Sequence, residues 1–339
     1  MGPPFASGRI RVAPEDFQVE EELGFEPDGA GEHVFLQVRK RNANTDWLAR
    51  QLARVADVRP AEVSYAGLKD RNAVTTQWFS VQLPGRDMPD WSGLLSDDVQ
   101  LLNAVRNSRK LRRGALRGNR FTIVIRELRG DAAELAARLM QVASRGVPNY
   151  FGAQRFGRDR GNLAKAMALF AGALKVRDRH LRGLYLSAAR SHLFNRVLSQ
   201  RVADDTWNSA LPGEAMMLDG SHSVFVADFI DATIAQRVSE FDIHPTGPLW
   251  GRGNSLARDQ ALVQETAVLA PFETFRCGLE HVGLTQERRA LRLRVADLAW
   301  EFLAADVLQL RFQLPAGSYA TSVLREVIDA TSDLTGVET

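Results

Sequence analysis

Several short segments of the chain alternate apolar and polar residues, which is the pattern of a strand with one buried face. These segments are rich in Val, Ile, Phe and Trp, which favour strands, and they cover residues 9–20, 33–39, 77–83, 100–106 and 119–127. A further strand is predicted from Val307 to Leu314, directly before Pro315. We therefore predict a sheet that draws strands from both ends of the chain.

Other segments have the spacing of amphipathic helices. Asn44 or Thr45 can cap the first, whose apolar face carries Trp47, Leu48, Leu52 and Val55, and Asp131 can cap another, with Leu135, Leu139 and Val142. The pattern is mostly helical from about residue 145, with long helices at 161–170 and 184–203, and a last helix begins near Thr321. The predicted fold class is mixed α/β (α+β), with a more helical segment inserted in the middle.

Composition narrows the classes of protein that the chain can belong to. Its 339 residues are 45% hydrophobic and 25% charged, as in a globular protein of roughly two domains. Apolar runs are interrupted before the ~20 residues of a membrane helix, and the start lacks an export signal, so we expect a cytoplasmic protein. With Cys277 as the one cysteine and six scattered histidines, no disulfide and no metal site are predicted.

The net charge of +2 is unevenly distributed. Residues 1–182 hold 30 Lys and Arg against 21 Asp and Glu, whereas the remainder holds 13 against 20. We call residues 106–120 the basic strip, because this segment has no acidic residue and contains Arg106, Arg109, Lys110, Arg112, Arg113, Arg117 and Arg120. Such a cluster is typical of a protein that binds a polyanion, and a solvated surface is the alternative.

The segment 66–77 reads AGLKDRNAVTTQ and directly precedes a predicted strand. Asp70 lies in it between Lys69 and Arg71, two cations able to keep its carboxylate ionised. An ionised carboxylate can act as a nucleophile or as a base. On these residues alone, such a triplet in a loop is more often a solvent-exposed turn, and a catalytic role is the less common alternative.

This segment resembles the signature of the TruD family, Gly-x-Lys-Asp-x-x-Ala-x-Thr-x-Gln, which is matched here by Gly67, Lys69, Asp70, Ala73, Thr75 and Gln77. A second segment, PNYFGAQRFG at residues 148–157, resembles the family's other hallmark. Further matches are PEDF at 14–17, GALRGNRFT at 114–122, LSAARSHLFN at 186–195 and LPAGSYATSVLRE at 314–326. The resemblance covers nearly the whole chain.

The resemblance implies a tRNA pseudouridine synthase that isomerises the uridine at position 13 of tRNA, with Asp70 as the catalytic carboxylate. It implies a mixed-sheet catalytic domain of residues 1–144 plus 294–339 and an inserted TRUD domain of residues 145–293. The reaction needs no metal or cofactor, the partner is tRNA, and no obligate protein partner is expected. A stacked base is out of reach, so the enzyme should extrude it.

By the family's pattern, the substrate side chains are Phe17, Lys69, Asn119, Phe121 and Tyr319. Phe17 and Phe121 lie in alternating strands, where core packing is the alternative role. The Asn119 amide offers both a donor and an acceptor to the edge of uracil, or it shapes a turn. Tyr319 stands where the family's familiar form has Phe. The candidate phosphate contacts are Arg109, Lys110, Arg112, Arg113 and Arg117.

Two other functions compete with this prediction. A retaining glycosidase needs a second carboxylate about 5 Å from the first. Glu20, Glu21 and Glu22 do not supply it, because consecutive strand residues face opposite ways, and we expect them on a solvated edge. A noncatalytic RNA-binding protein would use the basic clusters but leaves segment 66–77 unexplained. Which RNAs are modified, the chemical route and the oligomeric state stay open.

Overall fold

The computed structural model describes residues 2, 4–94, 96–112 and 114–332. Its strands are β1 (Ser7–Ile10), β2 (Phe17–Leu23), β3 (His33–Arg41), β4 (Val63–Tyr65), β5 (Val74–Gln82), β6 (Val99–Asn107), β7 (Leu116–Arg129), β8 (Val147–Pro148), β9 (Glu214–Leu218), β10 (Val224–Ala227), β11 (Ile243–Leu249), β12 (Glu287–Ala290), β13 (Arg292–Leu293), β14 (Ala296–Ala304), β15 (Val307–Pro315) and β16 (Asp329–Ser332). Its helices are α1 (Thr45–Val55), α2 (Ala132–Arg145), α3 (Gly161–Phe170), α4 (Arg179–Ala203), α5 (Ala232–Ser239), α6 (Asp259–Leu269), α7 (Glu273–His281) and α8 (Ala320–Val327). The predicted mixed α/β class is confirmed.

The chain divides into two units by its internal contacts. Among the described residues, the middle unit comprises Met140–Arg294 and Thr321–Glu326, and the sheet unit comprises Pro4–Leu139, Val295–Ala320 and residues 327–332. Thr321–Glu326 belongs to the middle unit although the sequence assigns it to the first domain, and Ser322 there donates a hydrogen bond to the Tyr150 carbonyl (3.3 Å). The domain assignment from sequence stays a prediction.

The sheet unit is built on one large mixed sheet with the strand order β14-β15-β7-β2-β5-β3-β6. β2 pairs with β5 in parallel, whereas its other neighbour, β7, is antiparallel to it. β15 joins β7 along its full length, so the end of the chain completes the sheet that its beginning starts. This pairing places the segments before and after the middle unit side by side.

The alternating segment 9–20 forms two strands, β1 and β2, and the prediction of a single strand there is wrong. Arg11 takes a positive φ of 59°, and a short 3-10 turn follows at Pro14–Asp16. Proline cannot continue the hydrogen-bond ladder of a strand, and it favours the first position of such a turn. The chain therefore bends between the two strands.

Helix α1 begins where its cap was predicted. The Asn44 side chain accepts hydrogen bonds from the backbone N–H groups of Asp46 and Trp47. Leu48 and Leu52 are fully buried against sheet residues such as Leu36, in a cluster that also contains Val34, Val38, Phe79 and Val81. Trp47, predicted on the same face, is 42% exposed instead.

The middle unit packs helices on a smaller sheet. Helix α4 buries Ala189, Leu193 and Val197 along one side, and α3 and α7 contribute to the same core. Among the described residues, the strands of this sheet follow the order β10-β9-β11-β12, and β8 pairs with β13 separately. Within the described residues, every helix is too short or too polar to cross a bilayer.

Candidate active site

Strand register places two rows of side chains across one face of the large sheet. In the first row Lys40 of β3 lies opposite Thr75 of β5, and Thr75 lies opposite Val19 of β2. Val19 pairs with Phe121 of β7, which pairs with Phe312 of β15. A buried cation and a hydroxyl thus stand at one end of this row, and two aromatic rings stand at the other.

The second row carries the polar groups of the sheet face. Gln77 lies opposite Val38, while Glu21 lies opposite Asn119, which in turn pairs with Leu314. The signature loop of residues 66–73 leads into β5, so its carboxylate belongs to the same region. The register therefore gathers residues from five strands that are far apart in the sequence.

Asp70 is held by an arginine that the sequence analysis missed. Arg11 Nη2 lies 2.7 Å from Asp70 Oδ2, and the Asp70 side chain is 34% exposed. The other carboxylate oxygen accepts a hydrogen bond from the Asn72 backbone N–H (3.1 Å). Arg11 also lies over the Phe17 ring, 4.1 Å from its centroid. The carboxylate is therefore oriented from two sides and still open to solvent.

Lys69 does not pair with Asp70, as the sequence had suggested, but with Glu21. The two charged groups are 2.5 Å apart, and Glu21 also accepts a hydrogen bond from the Trp78 backbone N–H (2.8 Å). Burial raises the pKa of Glu21, and the attraction of Lys69 opposes this only in part. Glu21 is 2% exposed, so the prediction that it lies on a solvated edge is wrong. Glu20 and Glu22 instead pair with the exposed Arg120.

Two of the three aromatic residues predicted to meet the substrate pack against each other. Phe17 and Phe121 are buried and meet edge to face at 6.3 Å, and Phe121 stacks on Phe312 at 5.3 Å. Tyr319 is half-buried and lies directly before α8. Core packing accounts for Phe17 and Phe121, so their contact with substrate stays a prediction.

Asn119 differs from these rings, because its half-buried side chain keeps unused hydrogen-bonding capacity. Its Oδ1 atom is buried and has no hydrogen-bond partner among the described residues, and the same holds for Oγ1 of Thr75. A buried acceptor without a partner costs about 1–3 kcal/mol. Such a group in a native fold calls for an explanation, and a ligand that donates a hydrogen bond to it is one.

The basic strip divides into structural and exposed cations. Arg106 donates to the carbonyl of Leu83, and Arg120 pairs with Glu22. Besides Arg120, the exposed cations are four of the predicted phosphate contacts: Arg109, Lys110, Arg112 and Arg117. The fifth, Arg113, lies outside the described residues. No group of three or more His, Cys, Asp or Glu in the described part of the chain could hold a metal ion.

Sequence reasoning could have found two of the missed groups from the alternation itself. Val34, Leu36 and Val38 face inward on β3, and Lys40 is the next inward position. On β2, Glu21 follows Phe17 and Val19 in the same way. A charged residue at an inward position of a strand is a signal for a functional or paired group.

Known proteins resemble this chain over most of its length. The family model of tRNA pseudouridine synthase D (TruD) matches residues 3–165 and 162–327. Proteins described as tRNA pseudouridine synthase D are 56% identical in Nitrosococcus oceani (96% of this chain, 92% of the relative) and 52% identical in Methylococcus capsulatus (95% and 91%).

A solved structure supports the fold. The crystal structure of a putative tRNA pseudouridine synthase D from Methanosarcina mazei superposes with a TM-score of 0.74. It is 23% identical, and the match covers 95% of this chain and 93% of that one. Taken with the matches in sequence, these findings show that the chain belongs to the TruD family.

Proposed function

We propose that this protein isomerises the uridine at position 13 of tRNA to pseudouridine, with Asp70 as the catalytic carboxylate and without a cofactor. The observation that carries this proposal is the accessible carboxylate of Asp70, held by Arg11 beside a floor of buried rings and an unpaired amide oxygen. Family membership supplies the reaction class, and we expect it to take place in the cytoplasm, with tRNA as the partner.

The chemistry needs only groups that the chain itself carries. The bond between N1 of uracil and C1′ of ribose breaks, the base turns, and C5 bonds to C1′. C5 loses a proton and N1 gains one, so no atom or electron is gained or lost overall. Asp70 serves as nucleophile towards ribose or the ring, or as base towards a sugar proton. Its ion pair with Arg11 keeps the carboxylate oriented in each case.

The unpaired oxygen of Asn119 gives the site a means to recognise uracil. Uracil has an N3–H group that can donate a hydrogen bond to an amide oxygen, whereas neutral cytosine has no N–H at N3. Asn119 Oδ1 therefore accepts a hydrogen bond from N3–H, and the rings of Phe17, Phe121 and Tyr319 flank the extruded base. Lys69 is 11% exposed and engaged with Glu21, so its contact with the substrate is the least supported of these roles.

The exposed cations of the basic strip supply the contacts to the RNA backbone. Arg109, Lys110, Arg112 and Arg117 are exposed to solvent and thus accessible to phosphate oxygens, and we include Arg113 with them from its position in the sequence. Duplex RNA is recognised largely by its shape and backbone. These contacts position the tRNA, and the choice of base belongs to the pocket around Asp70.

The proposal is tested with an unmodified tRNA transcript carrying tritium at C5 of uridine, in a buffer with a chelator and no cofactor. Release of tritium together with pseudouridine at position 13 is the expected result. The matched control transcript has cytidine at position 13 and should release nothing from that site. Free uracil or cleaved sugar as the product would instead indicate a glycosidase, and binding without any reaction would indicate a noncatalytic RNA-binding protein.

A further inference from the structure

Lys40 is a fully buried lysine whose ammonium group contacts backbone instead of a carboxylate. Its side chain is 0% exposed, and it occupies the inward face of β3 between Thr75 and Val99 on the neighbouring strands. Nζ donates hydrogen bonds to the carbonyl oxygens of Ala43 (2.6 Å) and Asp70 (3.3 Å). A buried cation without an acidic partner is costly, and this one lies directly beneath the signature loop.

The two carbonyls belong to segments that must keep a fixed relation for Asp70 to point into the site. Ala43 lies in the turn between β3 and α1, and Asp70 lies in the loop before β5. The same two segments are joined by Asn42, whose N–H donates to the Ala73 carbonyl (3.3 Å), and by the Lys69 N–H, which donates to Thr45 Oγ1 (3.2 Å). Lys40 contributes the contact at Asp70 itself.

We propose that Lys40 is a positioning residue for the isomerisation: its ammonium group ties the backbone of Asp70 to the turn after β3 and so holds the carboxylate in its reactive orientation. This inference rests on the proposed role of Asp70. Replacing Lys40 keeps the carboxylate of Asp70 but removes a hydrogen bond that holds the Asp70 backbone. A misplacement of about 1 Å in a reacting group can cost on the order of a hundredfold in rate.

The charge of Lys40 makes this role dependent on pH. Burial lowers the pKa of Lys40 to about 8, while Asp70 and Glu21 act to raise it and Lys69 acts to lower it. Below that pH the ammonium makes charge-assisted hydrogen bonds, which are roughly twice as strong as neutral ones. Above it the neutral amine binds both carbonyls more weakly. Turnover should therefore decline as the pH rises through about 8.

The test measures single-turnover tritium release and tRNA affinity from about pH 6.5 to 9.5 for the wild type, Lys40→Met, Lys40→Gln and the control Lys175→Met. Met has a similar shape and neither charge nor donor, whereas Gln keeps a donor without the charge. Lys175 is an exposed lysine of the middle unit. Thermal unfolding reports the folded fraction of each sample.

We expect Lys40→Met to lose about ten- to a hundredfold in rate per folded molecule, the range set by misplaced catalytic groups. Its tRNA affinity should stay within about twofold of the wild type, and the alkaline decline should disappear. The rate of Lys40→Gln should lie between those of the wild type and Lys40→Met, and the rate of Lys175→Met should match that of the wild type. Ionisation of the substrate base would leave the decline unchanged in every variant.

Several results would overturn the inference. A normal rate per folded Lys40→Met molecule, or an alkaline decline that persists in it, would reduce Lys40 to a structural residue. If neither variant folds, the wild type decides: turnover that stays constant from pH 7 to about 9.5 contradicts the role, and a decline centred near 8 with unchanged tRNA affinity supports it. A wild type without any activity would contradict the proposed function instead.

Discussion

The two units both bury charged side chains, but they use the hydrogen-bonding capacity of those groups differently. In the middle unit Arg288 binds both carboxylate oxygens of Glu265, at 2.9 and 2.6 Å, and donates further to Thr246. In the sheet unit Asp70 is paired with Arg11 and one third exposed, and Asn119 Oδ1 has no partner in the described residues.

This difference is the one expected between a structural pair and the pair that we propose to be reactive. The Arg288 and Glu265 pair is closed, because every nitrogen of the guanidinium group and both carboxylate oxygens are engaged. Removal of one partner from such a pair is strongly destabilising, because it leaves the other charge buried and uncompensated. The groups around Asp70 leave hydrogen-bonding capacity unused. An unused buried acceptor lowers the stability of the fold, and it is available to a substrate. The four predictions that follow test this contrast.

The largest effect is expected for Asp70→Asn, which keeps the volume and removes the charge. Turnover should fall by at least about three orders of magnitude, the scale seen when a catalytic group is removed. The unfolding transition should shift little, because the side chain is 34% exposed. Tritium release and tRNA binding measure the two properties, with Asp97→Asn, an exposed aspartate of the same unit, as the control. Release at a near-normal rate would remove Asp70 from its role.

The opposite outcome is expected for Glu265→Gln. Arg288 would be left buried without a counter-charge, so the free energy of unfolding should fall by about 3–5 kcal/mol. Activity per folded molecule should not change. Urea unfolding measures the stability, and the exposed Glu273→Gln should stay within about 0.5 kcal/mol of the wild type. An unchanged free energy of unfolding in Glu265→Gln would show that the pair does not stabilise the fold.

A smaller effect is expected at Tyr319, which tests whether this half-buried ring serves packing or substrate binding. Tyr319→Ala should lose about ten- to a hundredfold in turnover, because base stacking on an aromatic side chain contributes roughly 1–3 kcal/mol. Tyr319→Phe keeps the ring and should lose less than about tenfold. A large fall in the melting temperature of Tyr319→Ala, with activity proportional to folded protein, would assign the ring to packing. A severe defect in Tyr319→Phe would implicate the hydroxyl group.

The smallest effect is expected for the exposed cations. Replacing Arg112 and Arg117 with Ala should weaken tRNA binding and flatten the dependence of affinity on salt, because phosphate contacts release counterions. The turnover of bound tRNA should be unchanged. The control replaces Arg59 and Arg258, which carry the same charge at exposed positions beside Glu62 and Asp228. An unchanged salt slope would place Arg112 and Arg117 outside the RNA-binding surface.

The sequence predicted the features that depend on neighbouring residues. The alternation located β3, β5, β6, β7 and β15 to within a few residues, and the side chain of Asn44 caps α1 as expected. The loop that carries Asp70 was recognised because segment 66–77 resembles the family signature. Strand periodicity, helix caps and turns are properties of short segments, so they can be predicted without the rest of the chain.

The sequence alone determined the mixed α/β class, the family and the catalytic candidate, because these depend on local patterns and on motifs. Only the tertiary structure decided that Arg11 binds Asp70, that Lys69 turns to Glu21, and that Lys40 lies beneath the loop. Each of these contacts joins segments that are distant in the sequence and that the pairing of β2, β5 and β3 brings together. A local pattern can place a charged residue on the inward face of a strand, but strand pairing across the sheet selects its partner.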